Sequence, residues 1–208
     1  MDKFVITIAR GFGSGGKQVA KRVAKELGLN CFENRIIALA SQYSGYGEEY
    51  FQSEKLTGSY FANVMAKMPI AKYPLPVLSK FVSDPKLFDI QSQMIRKLAQ
   101  EENCVIVGKA ADHVLQDCDH VISVYIEAPR PYCVRRVMEE MPGTTESEAH
   151  ELITKTDRYR ADYYKYYTGG KIWDDVLNYD LVINTGRVGE DMATKLIVDY
   201  VKMRLNKN

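Results

Sequence analysis

The order of apolar and polar positions sets out alternating strands and helices. Phe4-Val5-Ile6-Thr7-Ile8 is a continuous apolar, β-branched run and predicts a buried strand. Val19, Ala20, Val23, Ala24 and Leu27 then recur at helical spacing, with Lys21, Arg22, Lys25 and Glu26 on the opposite side and Gly28 as the stop. Leu29 to Arg35 reads as a short extended piece and Ile36 to Gln42 as a helix. Asp84 before Pro85 is a helix-start pair, and Ile90, Met94, Ile95 and Leu98 continue in step to Gln100.

Cys104 to Val107 is apolar throughout, as a strand covered on both faces must be, and Ala110 to Gln116 follows as a helix. His120 to Ile126 is the next strand, leading through Glu127-Ala128-Pro129-Arg130-Pro131 into a helix with Cys133, Val134, Val137 and Met138. Thr145 with Glu148 forms a capping box for a long helix reaching about Tyr167. Leu181 to Asn184 is the last strand, and Ala193, Leu196, Ile197, Tyr200 and Val201 mark a closing helix. This alternation predicts an α/β fold with a mainly parallel sheet, whose ligands sit beyond the carboxyl ends of the strands. A chain of 208 residues with 46% hydrophobic content fits one domain, residues 1–208.

Between the first strand and the first helix lies a glycine-rich turn. Gly11, Gly13, Ser14, Gly15, Gly16 and Lys17 satisfy the first seven positions of G-x-x-x-x-G-K-[ST], and Gln18 breaks the eighth. Glycines let backbone N–H groups close around a polyphosphate, the helix directs its positive end at the same anion, and Lys17 adds a cation. The eighth position ordinarily offers a hydroxyl to Mg²⁺, whereas Gln18 offers an amide. A plain flexible turn is the alternative, and the strand before and helix after the loop favour phosphate binding.

Charge and cysteine usage narrow the partners. A net charge of +1 gives no field for a nucleic acid. Cys31, Cys104, Cys118 and Cys133 lack CxxC spacing, and the three histidines have no metal spacing, so no protein metal ligands are assigned. No apolar run is long enough to span a membrane. A reduced, cytoplasmic protein is the expectation.

Two further stretches carry candidate chemistry. Arg158, Arg160 and Lys165 near the end of the long helix, before Gly169-Gly170, outline a lid at residues 155–172 that would bring guanidinium groups onto a transferring phosphoryl group. An ion-paired surface helix, with Asp157 and Asp162 neutralising the arginines, is the alternative. Residues 44–85 are interrupted by Gly45, Gly47, Gly58, Pro69, Pro74 and Pro76. This insertion would hold a phosphate acceptor or, through Tyr50, Phe51, Tyr60, Phe61 and Tyr73, form the surface of a homo-oligomer.

The opening FVITIARGFGSGGKQVAKRVAKELGL, the middle CVIVGKAADHVL, the segment VYIEAPRPYCVRRV and the tail TDRYRADYYKYYTGGKIWDDVLNYDLVINTG together resemble the cytidylate kinase-like family of P-loop kinases. The resemblance implies a three-layer sandwich on a five-stranded parallel sheet with acceptor-binding and lid regions. It implies ATP with Mg²⁺ as donor and a nucleoside monophosphate such as CMP as acceptor. Lys17 and the loop, Gln18 included, would hold the β- and γ-phosphates, while Arg158 and Arg160 would neutralise developing charge. Arg35, Lys109 and Asp112 would serve the acceptor, and Arg187 the adenine. Lys109 stands where the family carries an arginine, and Ala110 follows it in place of an aspartate. A phosphate acceptor is already an anionic nucleophile, so no general base is required. Two alternatives remain open: a nucleotide sensor or regulatory protein without efficient transfer, and a kinase for another small metabolite.

Overall fold

The computed structural model describes residues 3–33 and 85–205. Arg35, the helix expected at 36–42 and the insertion at 44–85, apart from its last residue, lie outside the described residues. Five parallel strands form one sheet: β1 (Val5–Arg10), β2 (Asn30–Phe32), β3 (Cys104–Val107), β4 (Val121–Glu127) and β5 (Leu181–Asn184), in the spatial order β2-β3-β1-β4-β5. β1 is central, with Ile6 beside Val105 on one side and Ile122 on the other. The helices are α1 (Gly16–Leu27), α2 (Pro85–Glu101), α3 (Ala111–Val114), α4 (Arg130–Glu140), α5 (Glu146–Tyr167) and α6 (Thr185–Leu205).

Alternation along β1 sorts the two faces of the sheet. Ile6 and Ile8 pack with Val19 and Val23 of α1 and Ile197 and Val201 of α6. Val5, on the other face, joins Ile95 and Leu98 of α2 and Ala111 and Val114 of α3. Helices thus cover both sides, giving three layers. β1 exits into α1 on one face and β3 exits toward α3 on the other. Their carboxyl ends therefore diverge around a crevice, the usual ligand position of such a sheet.

Local chemistry sets the element ends. The capping box at α5 is present: Thr145 Oγ1 accepts from the Glu148 N–H, and the Thr145 N–H donates to Glu148 Oε2 at 2.8 Å. Gly28, at φ 66°, closes α1 in the left-handed conformation. α6 is kinked rather than regular, because Gly189 (φ 76°, ψ 165°) leaves helical geometry inside it. Among the described residues no helix is long and apolar enough to cross a membrane.

Candidate active site

The loop after β1 is tightly built. The Gly11 N–H donates to the Ile126 carbonyl at 2.9 Å and so carries the sheet pairing one residue past the strand. Gly13 (φ 78°) and Gly15 (φ 79°) are both left-handed. A Cβ at Gly13 would stand 2.8 Å from the Cys133 carbonyl oxygen, and one at Gly15 would stand 2.6 Å from Glu190 Oε1. Between them Ser14 is fully buried. Its hydroxyl donates to the Gly11 carbonyl at 2.8 Å, and its own carbonyl accepts from Thr185 Oγ1 at 2.5 Å. α1 then begins with no side-chain cap and no acidic residue in its first turn. Its leading N–H groups and positive dipole end suit an anion.

The two polar residues that follow diverge. Lys17 Nζ pairs with Glu33 Oε2 at 2.8 Å, beyond the end of β2. Gln18 Nε2 donates to Glu140 Oε1 of α4 at 3.0 Å on the exposed side of α1. The Gln18 amide, expected at the nucleotide, is engaged by α4 in this arrangement.

α5 lies directly against the loop. The Phe12 N–H donates to Asp157 Oδ1 at 2.8 Å. Arg160 Nη1 donates to the Arg10 carbonyl at 3.0 Å and to Asp157 Oδ1 at 3.1 Å, with its guanidinium 5.7 Å from the centre of the Phe12 ring. Burial raises the Asp157 carboxyl above its usual range, opposed mainly by Arg160 and the Phe12 N–H. Arg158 is 83% exposed at its side chain and sits 3.9 Å from Asp162, whereas Arg160 is 11% exposed. Two residues along a helix turn roughly 200°, so the pair cannot share a face. Of the two expected lid arginines, Arg160 meets the loop and Arg158 meets solvent.

At the carboxyl end of β3, Gly108 (φ 73°), Lys109 (φ 64°) and Ala110 (φ 51°) form three consecutive left-handed residues. Each non-glycine in that conformation costs about 1–2 kcal/mol. Strain of this kind persists only where the surrounding structure over-determines it. It buries Lys109 to 5% exposure. Arg10, Lys109, Asp112 and Arg160 line one cavity in the crevice, walled by Tyr159, Tyr163, Tyr164 and Trp173. Tyr164 Oη donates to Asp112 Oδ2 at 2.7 Å. Burial raises the Asp112 carboxyl, the tyrosine's hydrogen bond opposing it.

Arg187 lies in the first turn of α6 with its side chain exposed. Among the described residues no group of three or more His, Cys, Asp or Glu side chains is placed to hold a metal. Sequence reading missed Arg10, which ends β1, Glu33, which meets Lys17, and Glu190, which backs Gly15. Only Arg10 had a readable signal, as a cation in step with Ile6 and Ile8 at the mouth of the central strand.

A cytidylate kinase of Halobacterium salinarum is 30% identical over 80 residues, 38% of this chain and 41% of that protein. The aligned part thus spans under half of that relative. A cytidylate kinase of Methanosarcina barkeri is 22% identical over 169 residues, 76% of this chain and 85% of its own length. A solved but uncharacterised protein from Eubacterium ventriosum superposes with a TM-score of 0.70 at 27% identity, covering 96% of this chain and 99% of the other. Shikimate kinase from Bacteroides thetaiotaomicron shares the fold, at a TM-score of 0.55 and 12% identity over 97% of this chain and 99% of its own. The profile of the cytidylate kinase-like family matches residues 5–187, and the chain belongs to that family.

Proposed function

We propose that this protein is an ATP-dependent small-molecule kinase that transfers the γ-phosphoryl group to a phosphate-bearing acceptor, with CMP the first candidate. The observation that carries the reading is the convergence of Arg10, Lys109 and Arg160 on one cavity beside the glycine loop. Three buried or nearly buried cations around a crevice favour an anion, and the loop supplies a second, adjoining anion cradle. Two adjoining anion sites are what a transfer between ATP and a phosphorylated acceptor requires.

The loop residues suit a polyphosphate, since Gly13 and Gly15 hold the left-handed conformation that lets backbone N–H groups turn toward an anion, and α1 starts without an acidic residue in its first turn. A divalent ion finds less. Gln18 is turned to Glu140, and the carboxylates beside the loop, Glu33, Asp157 and Glu190, already face Lys17, Arg160 and the pair Arg22 and Arg136. Mg²⁺ brought in with ATP would supply charge neutralisation on the phosphates, held chiefly by their oxygens and water.

The chain's own groups do the rest. Loop amides orient the β- and γ-phosphates, Arg160 spans loop and cavity, and Lys109 holds the acceptor phosphate. Its single ammonium grips less directionally than an arginine fork. Tyr159, Tyr163 and Trp173 line the same cavity, and aromatic walls suit a nucleobase. The test is purified protein with ATP and Mg²⁺ against CMP, other nucleoside monophosphates, and small alcohols, following ADP. ADP formation that requires a monophosphate supports the reading. ATP binding with no acceptor consumed would favour a nucleotide sensor, the reading to which the diversion of Gln18 lends weight.

A further inference from the structure

Glu33 stands one residue past the end of β2, with its side chain 15% exposed. β3 separates β2 from β1, so this residue faces the end of β1 across the mouth of the crevice. The two oxygens of its carboxylate meet different cations. Oε2 lies 2.8 Å from Nζ of Lys17, which closes the glycine loop. Oε1 lies 3.7 Å from Nη2 of Arg10, which ends β1 and lines the cavity with Lys109 and Arg160. One carboxylate thus spans the cation of the donor loop and a cation of the acceptor cavity. The lysine of this loop pattern ordinarily serves the β- and γ-phosphates. A phosphate brought to Lys17, or to Arg10, meets the Glu33 carboxylate at contact distance, where like charges repel with little water between them.

From this arrangement we infer that Glu33 couples the binding of donor and acceptor: its carboxylate holds the place of phosphate in the nucleotide-free protein, and a single displacement of it opens both anion sites. The inference rests on the kinase reading above and leaves Lys17 on the donor phosphates. Glu33 acts through Lys17 and Arg10, so it is a positioning residue. The ligand that binds first must move the carboxylate off both cations, and the second finds it already moved. A cost met once for two ligands is positive coupling, and by linkage each ligand tightens the other by the same factor. The shared carboxylate thereby favours the ternary complex over either binary one.

The test is calorimetry with Mg²⁺ and an ATP analogue whose β–γ bridge is nitrogen, titrated with and without the monophosphate that supports turnover. In wild type the monophosphate should tighten the analogue about threefold, the scale on which a partly exposed ion pair matters. Glu33→Gln should bind the analogue alone about threefold more tightly and lose the coupling, an effect that loss of a merely structural contact would not produce. Glu33→Asp keeps the charge but is one methylene shorter, so its grip on two cations is weaker. It should fall between wild type and Glu33→Gln in both readouts, and it carries the test if Glu33→Gln does not fold. Asp199→Asn removes the same charge from the exposed face of α6, where it pairs with Lys195, and should leave affinity and coupling unchanged. Four results overturn the inference alone: analogue affinity in Glu33→Gln that is unchanged or weaker, coupling that survives in it, equal tightening in Asp199→Asn, or a Glu33→Asp indistinguishable from wild type. A wild type that binds no ATP, or consumes no monophosphate, overturns the kinase reading and this inference with it.

Discussion

The Phe12 N–H of the glycine loop donates to the Asp157 carboxylate of α5 at 2.8 Å, and through this bond the long helix and the loop hold each other in place. The same Asp157 Oδ1 accepts from Arg160, so one half-buried oxygen fixes both a loop amide and a cavity cation. Asp157→Ala would leave a loop amide and a guanidinium without this partner. We expect destabilisation of about 1–3 kcal/mol, the usual cost of an orphaned buried group, with weakened ATP binding. Denaturant unfolding and nucleotide titration check it, and a variant as stable as wild type would refute the clamp.

The two arginines of α5 should separate sharply in kinetics. Arg160→Ala removes a group lining the cavity and is expected to lower kcat/KM on the order of 10²-fold or more, as loss of a preorganised charge stabiliser does. Arg158→Ala removes an exposed charge that sits 3.9 Å from Asp162 and should change kcat/KM by less than about twofold. Steady-state kinetics of both variants decide it, and equal losses would mean that α5 turns during the reaction.

Gly13 and Gly15 share nearly the same positive φ, so alanine at either incurs a similar backbone strain of about 1–2 kcal/mol. They differ in what their Cβ would strike. At Gly13 it is the Cys133 carbonyl, which is backbone, and at Gly15 the Glu190 carboxylate, a side-chain end that can move. Gly13→Ala should therefore lower the melting temperature more than Gly15→Ala. Glu190 is also ion-paired with Arg22 and Arg136, so its displacement is resisted, but less than a shift of α4. The reverse order in thermal melts would contradict the loop geometry.

Much of this architecture is legible in the sequence for identifiable reasons. The strands at Cys104 to Val107 and Leu181 to Asn184 fall where apolar runs stop at polar residues, and the Thr145–Glu148 box fixes the start of α5 by short-range hydrogen bonds. The site is less legible because its geometry depends on contacts distant in sequence. The G-x-x-x-x-G-K pattern draws attention to Lys17, while the place of Arg10 in one cavity with Lys109 and Arg160 appears only when β1, β3 and α5 are brought together. The left-handed Lys109 and Ala110 leave no compositional trace, since neither residue type favours that conformation. Asp157 and Asp162 look alike on the chain, yet the helix turns one to the loop and the other to solvent.

The strained Lys109 links stability to function with opposite signs. Lys109→Gly relieves left-handed strain of about 1–2 kcal/mol while deleting a cavity cation. We expect the melting temperature to stay level or rise, and KM for the phosphate acceptor to rise on the order of tenfold. Thermal melts together with acceptor saturation curves test both halves; a clear loss of stability with unchanged KM would make Lys109 a structural residue.

Asp112 gives a pH signature. Its carboxyl is raised in the folded protein, chiefly by burial, so the folded state keeps that proton to higher pH than the unfolded chain. Where the folded state binds more protons, stability falls as pH rises. The contribution is therefore full below the ordinary carboxylate range and is lost as pH climbs through the raised value. Asp112→Asn still offers an oxygen to Tyr164 and should lack this decline. Urea unfolding of both proteins across the acidic range measures the difference, and superimposable pH profiles would contradict the buried, raised carboxyl.

The central claim is that the glycine loop and the cavity of Arg10, Lys109 and Arg160 form the two halves of one phosphoryl-transfer site. The most direct measurement is ADP release by the purified protein with ATP and Mg²⁺, with and without CMP and the other monophosphates. Acceptor-dependent ADP release, abolished when the monophosphate is replaced by its nucleoside, is the predicted result. ATP binding with no ADP release for any monophosphate would contradict it.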